Sequence, residues 1–322
     1  MKCEDAARTV DLIYQTYPEY GKVYGERTDL VSGVFSLYAT AKSAALVARE
    51  QLPKDTETVV MDWGGLGDTF YTRLVVEHLQ GKVAWITVPM VAGLYKDDPL
   101  TVIPGFSTPY RDPRQTWQRE GLTPGLFDLM GRIFADYKFL PVSYLVGQHY
   151  PDWCKKPTTF SDLFFNAVGI ERDPSIMPQL THKGKSKLVV KQPYIVLEHA
   201  SVTLGTLPVT SYSPLVKAMQ KFNVPVVLIG GRRDPNVMGT VNAKGLPLYD
   251  TFSLMKHARV FVGRCSGNES MMGFLQEIPI VEVNVPQAVS FGQSCHPYCF
   301  PATPDKLTDS VLRLIRRTAS KP

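Results

Sequence analysis

The stretch from Thr58 to Thr69, TVVMDWGGLGDT, decides the fold class of this 322-residue chain. Its first four residues are apolar and rich in β-branched side chains, which is typical of a buried strand. A glycine-rich turn follows at 64–68, and apolar residues from Thr69 to Gln80 then recur at helical spacing. A strand, a turn and a helix in this order indicate an α/β fold with a parallel sheet and helices on its faces.

The same alternation continues outward from this stretch. Further strands are predicted at 83–88, 100–103, 194–198, 225–229, 259–263 and 278–283. Helices are predicted at 30–52, 69–80, 122–137, 160–168, 211–222, 251–257, 268–276 and 304–318. A polar, basic stretch at 182–187 separates the two α/β halves and marks the predicted domain boundary.

We therefore predict two Rossmann-like domains that face a cleft, preceded by a helical extension. The predicted ranges are 1–55 for the extension, 56–187 for the N-terminal domain and 188–322 for the C-terminal domain. The basic terminal helix is a candidate to pack back on the N-terminal domain.

Composition and charge narrow the class of protein. Hydrophobic residues make up 44% and charged residues 20% of the chain, which excludes a disordered protein. The 35 basic and 30 acidic residues give a net charge of +5, which suits phosphate-bearing ligands or an anionic surface without requiring either. No apolar run reaches about 18 residues, and the acidic N-terminus does not resemble a secretory signal. We therefore expect a cytoplasmic protein without a transmembrane segment.

The cysteines do not indicate a metal site. There are five, an odd and scattered set typical of reduced thiols. Cys295 and Cys299 flank His296, but this cluster lacks the second ligand pair that structural zinc prefers. We expect neither a metal nor another cofactor.

Four turns are candidates for ligand binding, because ligands of open parallel sheets collect at the carboxyl ends of the strands. They are 62–68, 198–206, 230–234 and 263–270. The first is neither a dinucleotide fingerprint nor a P-loop. Its Asp68 is either a helix cap or a general base that deprotonates a bound hydroxyl.

The other three turns carry glycine, hydroxyl or basic residues that suit phosphate groups. The arginines at 232 and 233 are either pyrophosphate ligands or solvated surface residues. Glu269 either stabilises a helix N-terminus or accepts hydrogen bonds from ribose hydroxyls. His199 is either a hydrogen-bond donor or a packed core residue, and packing is slightly favoured.

The order and spacing of these turns resemble the GT-B glycosyltransferases, and within them the ADP-heptose:lipopolysaccharide heptosyltransferase-like family (glycosyltransferase family 9). The resemblance covers roughly 57–320. It rests on a Gly-x-Gly-Asp turn (Gly65 to Asp68), a strand that ends in Gly-Gly (Gly230, Gly231) and the turn from Gly263 to Ser270.

The resemblance implies an inverting transfer of a hexosyl, heptosyl or pentosyl group from a nucleotide sugar, with Asp68 as the catalytic base. It also implies metal-independent chemistry in which the nucleotide sugar is a substrate and no cofactor is needed. The implied donor-binding residues are Gly67, Ser201, Thr206, Gly230, Gly231, Arg232, Arg264, Ser266, Gly267, Asn268 and Glu269.

The chain departs from the family at three places. Cys265 and Ser270 replace the family's Asp and His, and Gly205 and Thr206 stand where a lysine is usual. Two acceptors remain open: a saccharide of a cell-surface glycolipid, or a hydroxylated base of modified phage DNA. Two other functions also remain open: a nucleotide-sugar 2-epimerase of the same fold, and a non-catalytic nucleotide-sugar-binding protein.

Overall fold

The chain forms two compact α/β units. The computed structural model describes residues 27–63, 65–95, 97–105, 123–155, 158–177, 180, 188–201, 205–264, 266–283, 296 and 298–319. The first unit extends to Pro151 and includes Ala167–Ile170, and the second comprises Asp152–Asn166 and the chain from Glu171 onward. The chain therefore crosses between the units at 151/152, 166/167 and 170/171. The stretch 182–187, where the boundary is predicted, lies outside the described residues.

A four-stranded parallel sheet forms the centre of the first unit. Its strands are β1 (Thr58–Met61), β2 (Val83–Thr87), β3 (Thr101–Pro104) and β4 (Lys138–Pro141), in the order β3-β2-β1-β4. This is the order of the first four strands of a Rossmann fold. The order reverses between β1 and β4, so the carboxyl ends of these two strands border the position where such sheets bind ligands.

Five helices of the described chain precede or follow these strands: α1 (Arg27–Glu50), α2 (Leu66–Glu77), α3 (Pro89–Ala92), α4 (Thr123–Ile133) and α5 (Val142–Lys155). Helix α1 packs against α4. Its alanines at 41, 45 and 48 recur at helical spacing and are fully buried in the core of this unit. Residues 27–50 of the predicted extension are thus helical, and 1–26 lie outside the described residues.

A six-stranded parallel sheet forms the centre of the second unit. Its strands are β5 (Ile195–Leu197), β8 (Val226–Leu228), β9 (Val241–Asn242), β10 (Val260–Gly263), β11 (Ile280–Val283) and β12 (Cys299–Ala302). Their order is β12-β11-β10-β5-β8-β9. This is the full Rossmann order, and its reversal lies between β5 and β10. A short antiparallel pair, β6 (Ala200–Ser201) and β7 (Gly205–Thr206), follows β5.

The remaining helices of the described chain are α6 (Phe160–Val168), α7 (Ser213–Lys221), α8 (Leu248–Lys256), α9 (Gly267–Met271) and α10 (Leu307–Ala319). The terminal helix α10 packs within the second unit, against α7 and strands β10 to β12. Its residues Leu307, Val311 and Leu314 recur at helical spacing and are buried in the core of that unit. Among the described residues, no helix has both the length and the apolar character needed to cross a membrane.

One glycine of the second sheet is required by packing. A Cβ at Gly263, the last residue of β10, would overlap the ring of Phe261, which is fully buried and has no room to move. We expect Gly263→Ala to lower the free energy of unfolding by about 1–3 kcal/mol through overpacking. Gly131→Ala, within α4, is the matched control, because a Cβ there meets no atom of the described residues within 4 Å. The control is expected to be neutral or to stabilise by up to about 1 kcal/mol, and urea unfolding measures both. Equal stability of the two variants would contradict the predicted overlap.

Candidate functional site

Two carboxylates follow β1, at the reversal point of the first sheet. Asp62 comes directly after the strand, and its side chain is only 1% exposed. The indole Nε1–H of Trp85 donates to Asp62 Oδ2 at 2.6 Å, and the Thr87 hydroxyl donates to Oδ1 at 3.1 Å. Both donors lie on β2, so the pairing of neighbouring parallel strands brings these three side chains together. The backbone N–H of Trp63 donates to Ser143 Oγ at 3.0 Å, which connects the turn to α5, directly after β4.

Burial governs the charge of Asp62. Desolvation raises its pKa from 3.8 to about 7, against the opposing effect of the Trp85 and Thr87 hydrogen bonds. The nearby carboxylate of Asp68 also raises this pKa. Asp62 therefore takes up a proton near neutral pH.

Asp68 is the half-buried carboxylate of the turn. It stands at the third position of α2, and its Oδ2 accepts a hydrogen bond of 2.7 Å from the backbone N–H of Gly65, the N-cap residue. This contact is one half of a capping box. The capping role predicted for Asp68 is thus present, and a half-buried carboxylate at the end of a strand has the exposure that a base also needs.

A second carboxylate network spans the reversal point of the other sheet. Glu198 directly follows β5 and is 6% exposed, while Ser266 and Asn268 lie in the turn after β10. The Ser266 hydroxyl donates to Glu198 Oε2, and the amide Nδ2 of Asn268 donates to Oε1 at 2.7 Å. Ser266 Oγ also accepts from the Glu269 N–H at 3.0 Å and so caps α9. Desolvation raises the pKa of Glu198 from 4.5 to about 7.

A buried polar pair lies beside this network. His199 and Tyr212 are both fully buried, and their rings meet edge to face at 6.1 Å. Among the described residues, neither ring nitrogen of His199 has a hydrogen-bond partner, and the hydroxyl of Tyr212 has none either. Desolvation lowers the pKa of His199 and raises that of Tyr212 to about 12, so both are neutral at pH 7. His199 therefore packs as a neutral core residue, as the sequence slightly favours.

An acidic side chain also closes the turn at 230–234. The backbone N–H of Gly231 donates to Asp234 Oδ2 at 2.6 Å. Gly230 has φ +133°, and a Cβ there would lie 2.6 Å from the same oxygen, so only glycine fits. Arg232 and Arg233 are exposed and form no ion pair among the described residues.

The structure brings some of the predicted donor-binding residues together. Ser266 caps α9, Gly267, Asn268 and Glu269 form its first turn, and Arg264, 4% exposed, precedes them. Gly230, Gly231 and Arg232 form the turn after β8, in the same unit. Gly67 lies in α2 of the first unit. The Glu269 side chain is fully buried. Of Ser201 and Thr206 only the backbone is described, in β6 and β7.

Asp62, Glu198 and Tyr212 are not among the catalytic and donor-binding residues predicted from the sequence, although Asp62 and Glu198 begin two of the predicted turns. Asp62 and Glu198 each directly follow a buried strand, which was the available signal. Tyr212 gave no such signal, because its ring packs against His199, which lies just after the strand β5. Among the described residues, no group of three or more His, Cys, Asp and Glu side chains could hold a metal ion.

Two Rossmann-ordered sheets with polar residues at their reversal points define a two-unit α/β protein with Rossmann-like domains. No protein-family model matches the sequence, and no curated protein matches it. Solved structures do match. ADP-heptose lipopolysaccharide heptosyltransferase II of E. coli superposes with a TM-score of 0.59 at 14% identity, over 82% of this chain and 100% of that chain.

Two further glycosyltransferases superpose similarly. A family 9 glycosyl transferase of Veillonella parvula gives a TM-score of 0.58 at 10% identity, over 83% of this chain and 99% of that one. The iron-containing dodecameric glycosyltransferase TibC of enterotoxigenic E. coli gives 0.52 at 18% identity, over 77% and 62%. The chain thus has the heptosyltransferase-like GT-B fold, which confirms the predicted fold class and the resemblance in fold.

Asp62 gives the stability of the protein a defined pH dependence. Its pKa is higher in the folded chain than in the unfolded one, so the folded state binds more protons between pH 4 and 7. The free energy of unfolding is expected to fall by up to about 1.4 kcal/mol per pH unit across that interval from this group. Asp62→Asn retains an acceptor for Trp85 and removes the charge, so we expect it to stabilise at pH 8 and not at pH 4. Urea unfolding at both pH values tests this, with the exposed Asp128→Asn as control.

Proposed function

We propose that the protein is an inverting glycosyltransferase that moves a sugar from a nucleoside diphosphate to a hydroxyl group of an acceptor. The observation that carries the proposal is the fold match over four fifths of the chain, with three of the four predicted turns at the reversal points of the two sheets. Open α/β sheets bind their ligands at these points.

In the proposed reaction, Asp68 accepts the proton of the acceptor hydroxyl as that oxygen attacks the anomeric carbon. The bond from this carbon to the diphosphate oxygen breaks on the opposite face, and the diphosphate leaves with the electron pair. The second unit holds the donor. Arg264 and the amides of the turn at 266–269 stabilise the negative charge that develops on the leaving group, without a metal ion. Because these groups supply the positive potential, we expect EDTA to leave turnover unchanged.

For the acceptor we propose a saccharide of a cell-surface glycolipid. The matched heptosyltransferase II is described as acting on lipopolysaccharide. A hydroxylated base of modified DNA is the alternative outcome of the same test, since the chain carries a net charge of +5. Glycolipid and hydroxymethylated DNA are offered separately with each donor. DNA as the substrate would also show binding that weakens steeply with salt.

A panel of nucleotide sugars tests the donor. A ligand that binds only the folded state raises its stability by about 2.7 kcal/mol at 100 times its Kd, which shifts the melting temperature. We expect one nucleotide family to stabilise the protein and its sugar to be released as an inverted product. If no nucleotide sugar shifts the melting temperature, the proposal is wrong.

A non-catalytic nucleotide-sugar-binding protein is the second candidate. Cys265 and Ser270 stand where the resembled family has its Asp and His, and this favours a protein that has lost the transfer chemistry. Binding of a nucleotide sugar without turnover on any acceptor of the panel would support this candidate.

A further inference from the structure

An apolar groove opens between the C-terminal end of α7 and the helix α10. It encloses about 210 Å³. Its lining residues are almost all apolar and come from both helices and from the start of the strand that follows α7: Met219, Phe222, Val224, Leu312, Ile315 and Arg316. We call this surface the α7–α10 groove.

Phe222 is the most exposed apolar residue of the groove. It is the C-cap residue of α7, and 56% of its surface is open to solvent. Leu312 and Ile315 extend the apolar side of α10 beyond its buried seam, because they pack only partly on the core. Burial of such a large aromatic side chain would be favourable, so its exposure marks a surface that gains free energy by docking.

Cations surround this apolar surface. Arg316 lines the groove, Arg313 lies one helical turn before it, and Lys221 directly precedes Phe222. All three are exposed, and none forms an ion pair within the described part of the chain. Asp309 is the nearest acidic group along α10, one turn before Arg313, and it forms no ion pair with that arginine. The rim is therefore positively charged.

We propose that the α7–α10 groove docks on the surface of a bilayer that contains anionic phospholipid. Phe222 and the apolar lining of the groove contact the bilayer at the boundary between headgroups and acyl chains. Lys221, Arg313 and Arg316 contact the phosphates of the headgroups. A basic helix with an apolar side lies in the plane of such an interface, and the long arginine side chains reach the headgroups while their stems cover apolar surface.

The combination of charges with apolar surface selects this partner. A nucleic acid duplex offers phosphates, but its bases stay paired and stacked within the helix, so its binding would leave Phe222 exposed. A neutral apolar partner would leave three cations unpaired. An anionic lipid surface satisfies both parts at once, since cations near it gain attraction and the aromatic ring is buried.

Co-sedimentation of the full chain with vesicles tests the proposal. We expect binding to phosphatidylcholine vesicles that contain phosphatidylglycerol, weakening with salt, and none to pure phosphatidylcholine. Arg313→Gln with Arg316→Gln should weaken binding roughly 30-fold, because each cation near an anionic leaflet contributes on the order of fivefold. Phe222→Ser should also weaken it. The control Val189→Ser with Lys256→Gln removes an exposed apolar residue and an exposed cation elsewhere in the same unit and should bind as the parent does.

A fluorescent variant gives a second readout. Phe222→Trp adds one reporter to the four native tryptophans. Its emission should shift to the blue only with anionic vesicles, as the indole enters the interface. The proposal is wrong if the chain does not bind anionic vesicles, or if the double arginine variant binds them as well as the parent does. It is also wrong if the chain binds duplex DNA but not vesicles and the double arginine variant loses that DNA binding.

Discussion

Asp68→Asn is expected to lower kcat by about 10³-fold while the affinity for the nucleotide sugar stays unchanged. The amide is isosteric and can still accept the hydrogen bond from the Gly65 N–H, so the cap of α2 persists. It cannot accept the proton of the attacking hydroxyl, and general base catalysis typically contributes 10²–10⁴-fold. Single-turnover kinetics together with donor titration measure both quantities.

Capping and base catalysis are separable at this residue. If Asp68 were only a cap, Asp68→Asn would change the free energy of unfolding by less than about 1 kcal/mol and leave turnover intact. Asp68→Glu keeps the charge but moves the carboxylate, so its turnover should fall while the fold remains stable. Asp152→Asn, an exposed carboxylate with 83% side-chain exposure, serves as the control and should behave as wild type. Near-normal turnover of Asp68→Asn would exclude Asp68 as the base.

Glu198→Gln is expected to bind the nucleoside diphosphate about 10-fold more tightly than wild type at pH 8, which is the cost of protonating a group of pKa about 7 at that pH. The wild-type carboxylate, with a pKa of about 7, carries its charge at that pH and engages Ser266 and Asn268. A diphosphate at the same turn is opposed by this charge, and a like charge at short range is worth one to three pKa units. At pH 6 the wild-type group is protonated, so the two proteins should bind equally. Wild type should therefore take up a proton on binding at pH 8.

Calorimetry in buffers of different ionisation enthalpy measures both the affinity and the proton uptake. Asp309→Asn, an exposed carboxylate on α10, should change neither. If Glu198→Gln and wild type bind with equal affinity at pH 8, the diphosphate does not bind beside Ser266 and Asn268. A weaker affinity would mean that Glu198 itself binds a hydroxyl group of the donor.

Three of the four predicted turns, those at 62–68, 230–234 and 263–270, share one feature. In each, an internal carboxylate accepts hydrogen bonds from groups that a phosphate would also use: Asp68 from Gly65, Asp234 from Gly231, and Glu198 from Ser266 and Asn268. Backbone amides and hydroxyls at strand ends are costly to leave without an acceptor. The carboxylates accept hydrogen bonds from these donors within the protein itself, so we expect their charge state to influence the affinity for a phosphate ligand.

The sequence by itself determined the α/β class, the fold resemblance and the positions of the turns. Buried central strands such as β1 and β10 are continuous apolar runs because both of their faces are covered, and such runs can be read locally. The edge strands β4, β9 and β12 are not predicted from the sequence. Strands β4 and β12 each contain a proline and lack a continuous apolar run, and β9 has only two residues, both exposed. Helix α5, which follows β4, was missed with it.

Only the tertiary structure decided which turns lie in contact with one another. Glu198 and Ser266 are 68 residues apart in sequence, and they meet because β5 and β10 pair in parallel at the reversal of strand order. The pKa of Asp62 likewise depends on two donors from β2 and on burial by the sheet. The pKa and the hydrogen bonds of a side chain at a strand end depend on residues of the neighbouring strand. Which strands become neighbours depends on contacts between residues distant in sequence, and local spacing does not encode those contacts.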